Sequence, residues 1–174
     1  MGKIMLFLKT LNNFRSGTGK SGAGFTLLEM LIVVAVLAVI GALSANYLTS
    51  YQKDLNLDKD SSQIFNYLEE ARNKSLAKED NKAWGIHFEN PASGSDFFEL
   101  YSTDTNYAGG TVSEKIYLSS GVVFSDPATG NSTDIQFSKL SATIVSATSV
   151  TIVSQTSNNT KTITVNTEGR VSSD

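Results

Sequence analysis

From Phe25 to Ala45 the chain reads FTLLEMLIVVAVLAVIGALSA, twenty-one residues whose only charge is Glu29. At 1.5 Å per residue such a run makes a helix of about 31 Å, enough to cross a bilayer's hydrocarbon core of about 30 Å. The stretch therefore predicts one transmembrane helix over residues 25–45. Lys3, Lys9, Arg15 and Lys20 precede it without an acid. That basic excess favours an N-terminus held at the cytoplasmic (inner) side of the membrane, a single pass, and a body exported to the periplasm or cell exterior.

The charge count divides the chain in the same place. Residues 1–24 carry +4, and the remaining 150 residues carry 10 basic and 17 acidic side chains, or −7, which together give the net −3. A basic head and an acidic body are different pieces. The chain has no cysteine and one histidine, His87, so thiolate metal sites and multi-histidine zinc sites have no ligands, and a catalytic triad has a single candidate base. Catalytic, cofactor-binding and metal residues are accordingly expected to be none, and the protein is not expected to be an enzyme.

Gly17-Thr18-Gly19-Lys20-Ser21 suggests a phosphate-cradling loop, but the glycine needed five residues before the Gly-Lys-Ser end is replaced by Phe14. The motif also lacks a preceding strand and is followed by apolar residues. Nucleotide binding is therefore rejected.

An ordinary secretory signal has its small residues after the apolar part. Here Gly22-Ala23-Gly24 come before it, so a cut after Gly24 would release the basic leader, keep the apolar helix and create an amine on Phe25. The stretch Gly24-Phe25-Thr26-Leu27-Leu28-Glu29 resembles the prepilin signature of type IV pilins and type II secretion pseudopilins. The resemblance implies cleavage by prepilin peptidase between Gly24 and Phe25, N-methylation of Phe25, and use of Glu29 in assembly with other pilin or pseudopilin subunits at an inner-membrane assembly platform. A carboxylate inside a bilayer costs about 2.5–3.5 kcal/mol, so Glu29 calls for a cationic partner, and the amine made at Phe25 is one. The bland alternative is that Glu29 snorkels to the interface and complements the helix dipole.

Residues 46–80 read as an amphipathic continuation of the helix. Tyr47, Tyr51, Leu55, Phe65, Leu68 and Leu76, with Ile64 and Ala71 beside them, recur at spacings near three and four, and no proline interrupts residues 25–80. Gly41 and Ser44 are soft points that would let another helix approach closely. The stretch from Leu68 to Ala77 followed by Trp84-Gly85-Ile86-His87-Phe88, with Ile163-Thr164-Val165 and Glu168-Gly169-Arg170-Val171 near the end, is similar to the GspH/FimT group of minor pilins and pseudopilins. The lack of a cysteine pair and of a proline downstream of Gly41 fits a minor subunit or pseudopilin better than a major pilin.

Residues 81–174 change to short β-branched and aromatic runs separated by turn residues. Expected strands are 82–89, 97–103, 114–118, 121–124, 134–139, 142–146, 149–155 and 161–167. The clearest hairpin joins Val150–Val153 to Thr162–Val165 through Ser157-Asn158-Asn159. The fold class that results is α+β, a long N-terminal helix packed on an antiparallel β-sheet head, as in type IV pilins. His87, between Ile86 and Phe88, reads as a sheet-surface histidine rather than a catalyst. Asp126, Asn131 and Asp134 around Pro127-Ala128-Thr129-Gly130 do not match a fixed-spacing calcium loop and read as a strand connection. Beyond residue 82 only Lys115, Lys139, Lys161 and Arg170 are basic, so net electrostatics oppose general nucleic-acid binding.

These observations lead to a structural subunit of a type IV pilus or type II secretion pseudopilus: leader 1–24, helix 25–45, amphipathic helix 46–80 and exported head 81–174. The alternatives are a single-pass anchored ligand-binding protein that never polymerises, and a minor pilin of a DNA-uptake apparatus.

Overall fold

The computed structural model describes residues 24–174, the side chains of residues 43–50 excepted. The expected leader therefore lies outside the described residues apart from Gly24, as do the side chains of Ser44 and Tyr47. The chain divides into two compact units, Met1–Ala42 and Leu43–Asp174. One α-helix, α1, runs over Leu27–Ala77.

In the first unit α1 is apolar on all sides, and every large apolar side chain from Leu27 to Ile40 is exposed. A helix of that kind is at rest only in a non-aqueous surrounding, whether lipid or other helices. The expected span of 25–45 extends past Ala42, the last of its described side chains. The helical part described, Leu27 to Ala42, covers about 24 Å at 1.5 Å per residue. Among the described residues no helix is long and apolar enough to cross a membrane.

In the second unit α1 buries the expected Ile64, Leu68 and Ala71, but the rest of its buried face differs from the one expected. Leu57, Ile64, Leu68 and Ala71 are in the core, and Asp60, Ser61 and Ser75 complete the same face at steps of three and four. Tyr51, Leu55 and Leu76 are 53%, 49% and 39% exposed, so they are not core residues. The expected stripe holds apolar residues alone, whereas the buried face includes three polar ones, of which Asp60 and Ser75 bond to Ser119 and Trp84 of the head. Lys78, in the left-handed region at φ 56°, ends the helix by donating its N–H to Ser75 O.

The head holds eight strands: β1 (Ala83–Asn90), β2 (Phe97–Thr103), β3 (Thr111–Tyr117), β4 (Val122–Asp126), β5 (Asn131–Phe137), β6 (Thr148–Ser154), β7 (Thr160–Val165) and β8 (Val171–Ser173). They form two antiparallel four-stranded sheets, ordered β3-β2-β1-β5 and β4-β6-β7-β8. The expected hairpin is β6–β7, with Val150 opposite Ile163 and Val153 opposite Thr160. Period-two alternation sends Trp84, Ile86 and Phe88 of β1, Ile135 and Phe137 of β5, Val150 and Ile152 of β6, and Ile163 and Val165 of β7 into one core with the α1 stripe. Both sheets thus share a core with the second-unit part of the helix, and the architecture is α+β.

Two strand expectations are corrected. Residues 142–146 are not a strand: Leu140 and Ala142 have φ of 71° and 50°, and the segment closes on itself through Ser138 N–H to Thr143 O and Ala142 N–H to Ser138 O, both 2.8 Å. The eighth strand is instead β8, whose three residues are too few to show an alternation. β5 also starts at Asn131, three residues before the expected 134.

Candidate functional site at the start of the helix

Gly24, Phe25 and Thr26 precede the first helical residue, Leu27, and all are exposed. A side chain at Gly24 would meet nothing within 4 Å. Phe25 is 72% exposed. Thr26 holds the N-cap position: its Oγ1 accepts the N–H of Glu29 at 3.2 Å, and its carbonyl accepts the N–H of Met30 at 3.2 Å. Glu29 lies in the first turn, at the positive end of the helix dipole.

Thr26-x-x-Glu29 is a capping-box sequence, in which the cap hydroxyl takes the third helical N–H and the acid sits three residues on. The role of Thr26 escaped the sequence reading, although the spacing of a hydroxyl and an acid before an apolar run was the available signal. The consequence is chemical as well as structural. Satisfying orphan N–H groups from within lets the helix begin immediately after the exposed Gly24-Phe25 pair, and keeps one carboxylate within a turn of Phe25.

The head brings other titratable residues together. His87 Nδ1 lies 2.6 Å from Asp134 Oδ1, and His87 Nε2 lies 3.1 Å from Glu89 Oε2. His87 is on the sheet surface that faces away from the core, as expected, but it is buried, at 6% exposure, beneath the ring of Tyr107. Burial pulls its pKa down, yet the hydrogen bond and charge of Asp134 and then of Glu89 outweigh it, leaving the imidazole above its ordinary value. With a carboxylate on each ring nitrogen it has no nitrogen directed at a substrate. Asp134 is thus engaged by His87, while Asn131 pairs with Asn90 at the start of β5, and the turn between β4 and β5 is organised by Asn90 Nδ2 donating to Phe124 O and Pro127 O at 3.1 and 2.8 Å. Among the described residues no group of three or more acidic or histidine side chains could hold a metal ion.

Residues 20–45 match the family model of the prokaryotic N-terminal methylation motif, the prepilin signature of type IV pilins and pseudopilins. That motif points to a membrane-anchored, pilin-type chain that is processed by prepilin peptidase and assembles with other pilins. No curated protein and no solved structure matches the chain.

Proposed function

We propose that this chain is a structural subunit, a minor pilin or pseudopilin, of a type IV pilus or type II secretion pseudopilus. Prepilin peptidase cuts after Gly24, the amine of Phe25 is methylated, and the apolar part of α1 holds the subunit in the inner membrane until it is drawn into a filament. There Glu29 pairs with a Phe25 amine and sets the axial register between subunits, while the head has no catalytic role.

The observation that carries this reading is the methylation motif over residues 20–45 placed on a helix whose apolar side chains are all exposed from Leu27 to Ile40. Such a surface finds its contacts in lipid and then in neighbouring helices, where packing and one buried charge pair supply specificity. A DNA-uptake role is less well supported, because two of the four basic residues beyond residue 82 already face acids: Lys115 lies 3.0 Å from Glu99, and Lys161 lies 3.5 Å from Asp58.

Mass spectrometry of the N-terminus of protein isolated from its own cells tests the proposal. The expected species begins at Phe25 and carries a methyl group. A mature protein that retains Met1 to Gly24 would leave the anchored, non-polymerising alternative.

A further inference from the structure

The loop between β2 and β3 folds back over the outer face of its own sheet, and it is held there by a titratable cluster. Tyr107, in the short 3-10 turn Tyr107–Gly109, stacks on His87 with ring centroids 3.7 Å apart and planes 3° from parallel. Its hydroxyl donates to Glu99 Oε2 at 2.5 Å, and its ring meets Tyr101 edge-on at 5.1 Å. Glu99 Oε1 in turn takes Lys115 Nζ at 3.0 Å. Further ties come from Gln136 Nε2 donating to Thr105 O at 3.3 Å, and from Thr103 Oγ1 donating to Asn106 O at 2.7 Å.

The ionisable groups around His87 are Glu89 on its own strand, Asp134 on β5, Glu99 and Tyr101 on β2, Tyr107 from the loop, and Lys115 on β3 behind Glu99. Only an imidazolium can donate to Glu89 and Asp134 at once. It also gives the Tyr107 ring a cation to stack on and gives three carboxylates a second positive charge beside Lys115.

We propose that His87 and Tyr107 form a proton-operated latch: the charged imidazole holds the Asn106–Gly110 loop against the sheet, and loss of its proton releases the loop. The 2.6 Å partner, Asp134, retains the remaining ring proton, so the proton that leaves for solvent is the one between Nε2 and Glu89. The nitrogen lone pair then faces the Glu89 carboxylate, the stack loses its cation, and the carboxylate cluster is left with Lys115 alone. Release uncovers Tyr101, which is fully buried in the latched state. The latch does not depend on the filament reading.

The test follows amide hydrogen exchange on the full chain in detergent micelles, from about pH 5.5 to about pH 9, with the His87 ring titrated by NMR in the same samples. The reporters are Gly109 N–H, bonded to Asn106 Oδ1 at 3.2 Å, and Gly110 N–H, bonded to Tyr107 O at 2.8 Å. After correction for intrinsic exchange, their protection should fall about threefold or more across the His87 midpoint, the effect of half a pKa unit of coupling. Protection that stays level while His87 titrates, or a His87 already neutral at the acid end, overturns the latch. In His87→Gln the protection should be low and independent of pH. A pH dependence retained there overturns it too, and Tyr107→Phe, which keeps the stack but not the Glu99 bond, should preserve the His87 midpoint dependence at lower overall protection.

Discussion

Ser75 Oγ accepts the backbone N–H of Trp84 at 2.8 Å and directs its own proton between Trp84 O and Phe137 O, at 3.3 and 3.2 Å. One hydroxyl near the end of α1 thus joins the helix to the first strand and to the edge strand β5. Ser75 is fully buried, and its carbonyl also accepts the N–H of Leu140 at 3.0 Å. Replacing it by alanine leaves the Trp84 N–H buried without an acceptor, which costs about 1–3 kcal/mol. Ser75→Ala should lower the thermal midpoint by roughly 2–4 °C per kcal/mol lost, measured by circular dichroism.

Asp60 makes a comparable connection further up the helix. Its two carboxylate oxygens accept the N–H and the hydroxyl of Ser119, each at 2.8 Å, and it is 2% exposed. Charge-assisted bonds to a buried carboxylate are worth about 1.5–3 kcal/mol each relative to water. Asp60→Ala should therefore destabilise the head by at least about 2 kcal/mol, whereas Ser119→Ala, which leaves the backbone N–H in place, should cost about half as much in chemical denaturation.

The assembly role proposed for Glu29 has to be separated from its place in the helix cap. As the third residue of a capping box it can be replaced by glutamine, which serves the cap equally well, but glutamine carries no charge for the Phe25 amine. Glu29→Gln and Glu29→Ala should both be cleaved after Gly24 and both fail to enter filaments. Normal incorporation of the glutamine variant, scored by immunoblotting of sheared filaments, would assign Glu29 to the cap alone.

The His87–Glu99 cluster predicts a stability optimum with respect to pH. His87 is raised in the fold, so its contribution is complete below its unfolded pKa and is lost as pH rises through the folded value. For Glu99, burial pushes up, but the Tyr107 hydroxyl and the Lys115 charge prevail and the carboxyl lies below its ordinary value. Its contribution is present above the unfolded pKa and is lost as pH falls through the folded one. Thermal midpoints should decline on both sides of the interval between these two titrations. His87→Gln should flatten only the alkaline decline.

Gly169, at φ +74° in the turn between β7 and β8, has no room for a side chain, because a Cβ there would overlap Ala142 O. Gly169→Ala combines that overlap with a left-handed backbone that costs an L-residue about 1–2 kcal/mol. The variant should unfold at lower denaturant with an unchanged slope, since the surface exposed on unfolding is nearly the same.

What the sequence by itself determined lies along one stretch of chain. The methylation motif, the acid and the apolar helix are related by fixed spacings, and residues a few positions apart on a helix meet whatever the rest of the molecule does. The β6–β7 hairpin was legible for the same reason, a short turn between two alternating runs. The division of eight strands into two sheets was not, because Asn90 and Asn131 become neighbours only when distant segments close on each other. Asp60 and Ser75 escaped a pattern built on apolar residues, and so did the burial of His87: each is polar, and each is buried because its partner arrives from 59, 9 or 47 positions away. Burial of a polar group is stable only once that partner is in place, so tertiary structure alone decides where it occurs.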